Sequence, residues 1–153
     1  MVAKENFDNL DAIVCALYEC MSFAPHGLPN YERCKNLFCP GASIMPPSDD
    51  SIPASAVSVD EFFETSKIAI ENSEELQSRG LSETELHRQV HEFGSVAQVF
   101  STYESRVSFE DRVAIGRGVN SLSLVFQEAR WWILSLSWED ESPELQVPDN
   151  LLP

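Results

Sequence analysis

Positive charge is scarce in this chain. Its 153 residues carry 10 Lys and Arg against 25 Asp and Glu, a formal net charge of -15. A phosphate backbone would be repelled, and the electrostatic attraction behind non-specific nucleic-acid affinity is missing. Neither nucleic acid nor an anionic membrane is expected as a partner. Long apolar runs are missing too: none approaches the roughly 20 residues that span a bilayer. The start MVAKENFDNLD lacks the apolar stretch of a signal peptide. The expectation is a cytoplasmic protein. There are no internal repeats and no low-complexity tracts. At 43% hydrophobic and 23% charged residues, the composition is that of one globular domain over 1–153, with a core at about 6–141.

Four cysteines, at positions 15, 20, 34 and 39, form two pairs each five apart. Five helical residues turn through about 500°, so neither pair makes a metal clamp. The sequence suggests small buried hydrophobes, and in a reducing cytosol no disulfide is expected. No metal and no cofactor are expected. Gly116-Arg117-Gly118 is too short for a phosphate cradle and reads as a turn, and no Ser-His-Asp arrangement is legible.

What the chain does contain is centred on 116–140, GRGVNSLSLVFQEARWWILSLSWED. Two runs rich in β-branched and aromatic residues flank a polar break at 127–130, the pattern of an antiparallel hairpin. With Glu128 and Ala129 as the turn, Gln127 opposes Arg130. One face then carries Asn120, Leu122, Leu124, Phe126, Trp131, Ile133, Ser135 and Ser137. The other carries Val119, Ser121, Ser123, Val125, Trp132, Leu134, Leu136 and Trp138. Large apolar groups on both faces imply that both are covered, one by helices and the other by a second copy of the protein. A three-residue loop would change this pairing.

Upstream, Phe7, Leu10, Val14, Leu17 and Met21 recur at helical spacing, predicting a helix from Asn6, its cap, to about Phe23. Tyr31, Cys34, Leu37 and Phe38 suggest a short second helix ending by Pro40. The proline-rich 40–56 reads as a loop, or a lid, with room for a short strand at 42–45. Ser58 and Glu61 form a capping box with Val57 and Phe62 as its staple, and this third helix runs toward Leu76 before Gly80. From Glu83 the pattern turns to strands: 83–92 and 95–107 are joined at Phe93-Gly94, and the loop 108–117 leads to the hairpin. The tail 142–153 is acidic, contains proline and is expected to be mobile. Helices followed by four strands make an α+β chain with a curved antiparallel sheet.

Helices first, then HRQVHEFGSVAQVFSTYESR, then RGVNSLSLVFQEARWWILSLSWEDE: these segments resemble the nuclear transport factor 2-like superfamily, and within it the uncharacterised, SnoaL-like bacterial branch. The resemblance spans about 7–141. It implies a cystatin-like cone, with three N-terminal helices packed in the concave face of the curved sheet and a pocket at the open end. It also implies homodimers formed through the outer sheet face. The superfamily includes ketosteroid isomerase and epoxide hydrolases, whose pockets use an inward aspartate. Here no Asp lies within 82–107 or 117–139, which argues against both chemistries.

Extending the pairing puts Leu86, Arg88 and Val90, and Ala97, Val99, Ser101, Tyr103 and Ser105, on the face of Asn120. Arg88, Tyr103 and Asn120 would then be polar groups in an apolar cup, with Tyr18 and Phe62 as further lining. A buried guanidinium needs an acceptor. It either binds an anionic ligand beside the Tyr103 and Asn120 donors, or pairs with Glu85 or Glu104 and ties strands together. His87 and His91 share the opposite face, about 13 Å apart and too far for one metal ion. The sequence thus points to a pocket for a small, mainly apolar ligand with a polar or anionic group, and leaves catalysis open. The alternative is a non-catalytic homodimeric association module with a vestigial pocket.

Overall fold

The protein is described here by a computed structural model covering residues 5–48, 54–107 and 116–153. The connection 108–115 and part of the proposed lid, 49–53, lie outside the described residues. Helix α1 spans Leu10–Met21, and its N-cap is Asn9 rather than Asn6. The Asn9 side chain accepts the Ala12 N–H at 2.8 Å. Phe7, expected inside the helix, instead gives its carbonyl to the Trp131 N–H at 2.8 Å, so the helix starts after it. The second helix is short, α2 at Tyr31–Lys35, because Phe38 opens strand β1, Phe38–Met45. That strand is longer than the sequence suggested, and β2, Val57–Ser58, pairs with it.

Helix α3 spans Val59–Glu71, with the Ser58 hydroxyl accepting the Glu61 N–H at 3.1 Å as the capping box requires. It does not reach Leu76. Ser73 caps a separate helix α4, Glu74–Arg79, by accepting the Leu76 N–H at 3.2 Å; a serine that offers its oxygen to a new helix start competes with continuation of the old one. Gly80, at φ 74°, packs against the Phe23 carbonyl where a Cβ has no room.

Strands β3 (Ser82–Phe93), β4 (Val96–Arg106), β5 (Gly116–Gln127) and β6 (Arg130–Asp140) complete a sheet of order β2-β1-β6-β5-β4-β3. The sheet is mixed, because β1 runs parallel to β6. The fold is α+β, a curved sheet whose concave face is filled by Ile13, Val14, Leu37, Ile44, Val99 and Leu122, all essentially fully buried. No described helix is long and apolar enough to cross a membrane.

Both hairpins depart from simple pairing by one residue. The β5–β6 turn is Glu128-Ala129 as expected, at φ 55° and 61°, the left-handed pair of a type I′ turn. Gln127 opposes Arg130, and Leu124 opposes Ile133. Ser123, however, opposes Ser135, so Leu134 is an extra residue. A bulge of one residue reverses every side chain beyond it. Leu136 and Trp138, expected on the outer face, therefore point to the concave side, while Ser135 and Ser137 point out. In β3, Glu85 opposes Tyr103 and His87 opposes Thr102, leaving Leu86 as a second bulge. The β3–β4 turn is Gly94-Ser95, one residue later than expected. Gly116-Arg117-Gly118 is the start of β5 rather than a turn.

Two further expectations are corrected. Cys20 and Cys34 form a disulfide, with Cα atoms 5.7 Å apart, that ties α1 to α2; Cys15 is exposed and Cys39 partly so. Spacing along one helix did not reveal it because the partners sit on two different helices. The tail is also docked rather than free. Its 3-10 turn, Asp149–Leu151, lies on the outer sheet face, where the buried Thr102 hydroxyl donates to the Leu151 carbonyl at 2.6 Å and the Gln89 amide to the Asn150 carbonyl at 3.0 Å.

The disulfide closes a loop of sequence separation 14, for which chain entropy gives a stabilisation of about 3 kcal/mol. Thiol titration of denatured, unreduced protein should count two thiols rather than four. Reduction should lower the melting temperature by on the order of 10 °C. Four thiols without reductant would exclude the bond.

Candidate functional site

With the two bulges in place, polar groups from five elements, α1 and β3 to β6, meet at one cavity. It has a volume of about 270 Å³ and lies between the concave sheet and helices α1 and α3. Its walls are apolar and aromatic: Leu17 and Met21 of α1, Phe62, Phe63 and Ile70 of α3, Phe38, Leu136 and Trp138 of the sheet. Phe62 meets Trp138 edge to face at 5.5 Å and Phe63 at the same distance. Into this cup project Tyr18, Glu83, Tyr103, Asn120 and Asp140. No Lys, Arg or His lines it among the described residues.

Tyr103 and Asp140 form one unit. The buried phenol donates its proton to Asp140 Oδ1 at the exposed rim. Gly118 pairs with both residues, and a Cβ there would fall on the Tyr103 hydroxyl. Only glycine leaves the space in which this contact forms. Burial, and then the hydrogen bond to Asp140 and its charge, hold the Tyr103 proton far above the ordinary tyrosine range.

Glu83 of β3, opposite Ser105 of β4, donates its main-chain N–H to the Ser22 hydroxyl at 3.0 Å. Its side chain is partly buried and lines the cavity. Burial, and to a lesser extent the charge of Asp140, push the carboxyl up to about 7. A carboxyl poised near neutrality between an aromatic wall and a second acid can hold or release a proton under ordinary conditions.

A second polar set lies beneath α1. Asn120 Nδ2 donates to the Tyr18 hydroxyl at 3.0 Å, and Tyr18 shares a 2.7 Å hydrogen bond with Ser101. Ser101 donates to Glu85, so the Tyr18 proton is the one on the Tyr18–Ser101 bond. Arg88 closes the chain, with Nη2 and Nε donating to Glu85 at 2.7 and 3.1 Å and Nη1 to Asp11. Burial pushes Tyr18 up to about 12, against the lowering effect of its bonds to Ser101 and Asn120. Every donor in this relay has an acceptor, the condition under which buried polar groups order a core.

Of the residues singled out from sequence, Tyr18, Tyr103, Asn120 and Phe62 line the cavity. Arg88 does not. It occupies the expected sheet face, but the bulge at Leu86 turns Glu85 to the same face, and the two charges pair at 14% and 20% exposure. Glu83, Asp140 and Trp138 were missed. The signal for Trp138 and Asp140 was the Leu-Ser-Leu-Ser-Trp alternation of β6, which matches the Ser-Leu-Ser-Leu of β5 only when one residue is looped out; Glu83 depends on the bulge at Leu86. His87 and His91 lie opposite Thr102 and Gln98, away from the cavity. No group of three or more His, Cys, Asp or Glu side chains among the described residues is arranged to hold a metal.

Comparisons with known proteins agree with this architecture. No protein-family model matches the chain, and no curated protein does. Among solved structures, the chain is similar to a nuclear transport factor 2-like protein of unknown function from Silicibacter pomeroyi, at 16% identity and a TM-score of 0.58, covering 86% of this chain and 92% of that one. It is similar to another from Methylobacillus flagellatus, at 15% identity and a TM-score of 0.55, covering 93% and 99%. A cystatin-like protein of unknown function from Nostoc punctiforme gives 11% identity and a TM-score of 0.58, over 74% and 78%. The chain therefore has the nuclear transport factor 2-like fold, the α+β cone that the resemblance implied.

Two outcomes follow from this geometry. A carboxyl raised from 4.5 to about 7 binds its proton in the folded state where the unfolded chain has lost it. Stability contributed by the neutral form is thus lost as pH rises from about 4.5 through 7, at a cost of roughly 3 kcal/mol. Glu83→Gln should gain on the parent in melting temperature by several degrees between pH 5 and pH 8; a constant difference would mean an ordinary carboxyl. Arg88→Met should lower the melting temperature on the order of 5 °C by stranding Glu85, and adding Glu85→Gln should recover part of the loss. No loss in the single variant would remove the pair from the stability of the fold.

Proposed function

We propose that the protein binds a small, mainly apolar molecule in this cavity, held by shape against the aromatic wall and oriented by one hydrogen-bonding end. The observation that carries this reading is the convergence of Glu83, Tyr103, Asn120 and Asp140 on a cup otherwise lined by hydrocarbon, the usual build of a small-molecule site. An anionic ligand is disfavoured. Arg88, the cation expected to receive it, is neutralised by Glu85 outside the cavity, and the acids inside would repel it. The Asp140–Tyr103 pair and Glu83 also supply the components of proton transfer, an acceptor near neutrality beside a donor.

The cup tests this directly. A thermal-shift series of small aromatic alcohols, ketones and amines at millimolar concentration should contain stabilising members, and Phe62→Ala, which removes part of the wall, should weaken them about tenfold. A series without any stabilising member would sink the reading.

The homodimer is supported by a separate observation. Phe93 is 86% exposed, and Val96, Phe100 and Leu134 are each about half exposed at one end of the outer sheet face, an apolar patch of the kind that soluble chains cover with a partner. This end differs from the one expected, since Leu136 and Trp138 are turned inward. Light scattering at micromolar concentration should give twice 17.2 kDa, and Phe93→Glu with Leu134→Glu should give the monomer. A monomeric parent would leave the patch without a role in assembly. A cytoplasmic location would require the Cys20–Cys34 pair to be reduced, since reducing compartments keep thiols apart.

A further inference from the structure

We infer that the polar end of the ligand is a cationic amine, received by the Glu83 carboxylate and flanked by the aromatic faces of the cup. This deepens the small-molecule reading above and rests on it. It begins from an imbalance inside the cavity. Glu83 and Asp140 both line it, yet only Asp140 has a partner there, the Tyr103 hydroxyl. The Glu83 side chain is partly buried and lies near Asp140 of β6, Tyr103 of β4 and Tyr18 of α1, without a counter-charge among the described lining residues. The other acid on its strand that faces inward, Glu85, is committed to Arg88 and Ser101. A partly buried carboxylate without a cation carries a desolvation cost. A protonated amine entering the cup supplies that cation and removes the cost.

The walls select the same chemistry. Phe38, Phe62, Phe63, Trp138 and Tyr103 line one small volume, and Phe62 and Trp138 stand edge to face, so aromatic faces of different orientation border the same space. Aromatic faces attract a cation through their quadrupole, most strongly when it is desolvated. A neutral hydroxyl gains the hydrogen bond to Glu83 but neither the ion pair nor the cation–π attraction. A carboxylate is repelled by both acids. Asp140 at the rim, together with the net charge of -15, draws cations toward the opening. The body of the ligand is a small aromatic or alicyclic group, since the cavity holds about 270 Å³.

The test is isothermal titration calorimetry of the full chain at pH 8 with three probes of matched shape, 2-phenylethylamine, 2-phenylethanol and phenylacetate. The amine should bind at least about tenfold more tightly than the alcohol, and phenylacetate should not bind. Glu83→Gln, which keeps the side-chain shape and lacks the charge, should bring the amine to within about threefold of the alcohol. Its melting curve, recorded in parallel, verifies the fold, and Trp138→Phe serves as a second variant that lowers amine affinity by weakening the aromatic wall alone. Equal binding of amine and alcohol by the parent, or an amine preference that survives Glu83→Gln, overturns the amine assignment and leaves the small-molecule reading standing. Binding of none of the probes, with an aromatic and alicyclic thermal-shift series equally silent, overturns both.

Discussion

A single extra residue in β6 controls most of what is particular about this molecule. Leu134 is looped out between Ile133 and Ser135, so the strand arrives at its far end with reversed facing. Without that shift, Ser135 and Ser137 would point into the cone and Leu136, Trp138 and Asp140 out of it. The shift aligns Ser137 with Ser121 and Leu136 with Leu122, giving one apolar and one polar face. The hydrophobic term favours this arrangement, because the alternative buries two hydroxyls and exposes a leucine and a tryptophan. The bulged Leu134 itself remains about half exposed on the outer face.

The second bulge, at Leu86, acts on the opposite edge of the sheet in the same way. It turns Glu83 and Glu85 toward the concave side, where one meets the cavity and the other meets Arg88. Two carboxylates that simple alternation would have left in water are thereby brought inside. Their environments then separate them: Glu85 is balanced by a guanidinium, whereas Glu83 faces hydrocarbon and a second acid. Two residues of the same type, two positions apart, acquire different chemistry from a fraction of the sheet's geometry.

The helices serve this arrangement as a lid of fixed shape. α1 supplies Tyr18, whose hydroxyl is fully engaged by Asn120 and Ser101, so its role is to hold the Asn120 amide and the sheet beneath it. α3 supplies Phe62 and Phe63, which form the aromatic wall with Trp138. The disulfide between α1 and α2 and the tail docked at Thr102 clamp the cone on its inner and outer sides.

How much of this was legible in the residues follows from the range of the interactions involved. Local signals were reliable: the Ser58 cap, the Glu128-Ala129 turn and the resemblance to the nuclear transport factor 2-like fold are all set by neighbours within a few positions or by the pattern of whole segments. Tyr103 and Asn120 lie on the sheet face that the pairing predicts, because β4 and β5 pair without a bulge. Arg88 pairs with Glu85, one of the two alternatives its position left open, whereas the facing of Asp140 and Glu83 and the Cys20–Cys34 bond were not legible, because each depends on which residue of a distant element lies opposite. A bulge changes that by one position and every side chain beyond it by half a turn. The sequence by itself determined the class of fold, since burial of apolar surface needs only the right periodicity. The tertiary structure alone decided which acids enter the cavity and which cation is kept out of it, since charges are sorted by their actual neighbours and not by their spacing along the chain.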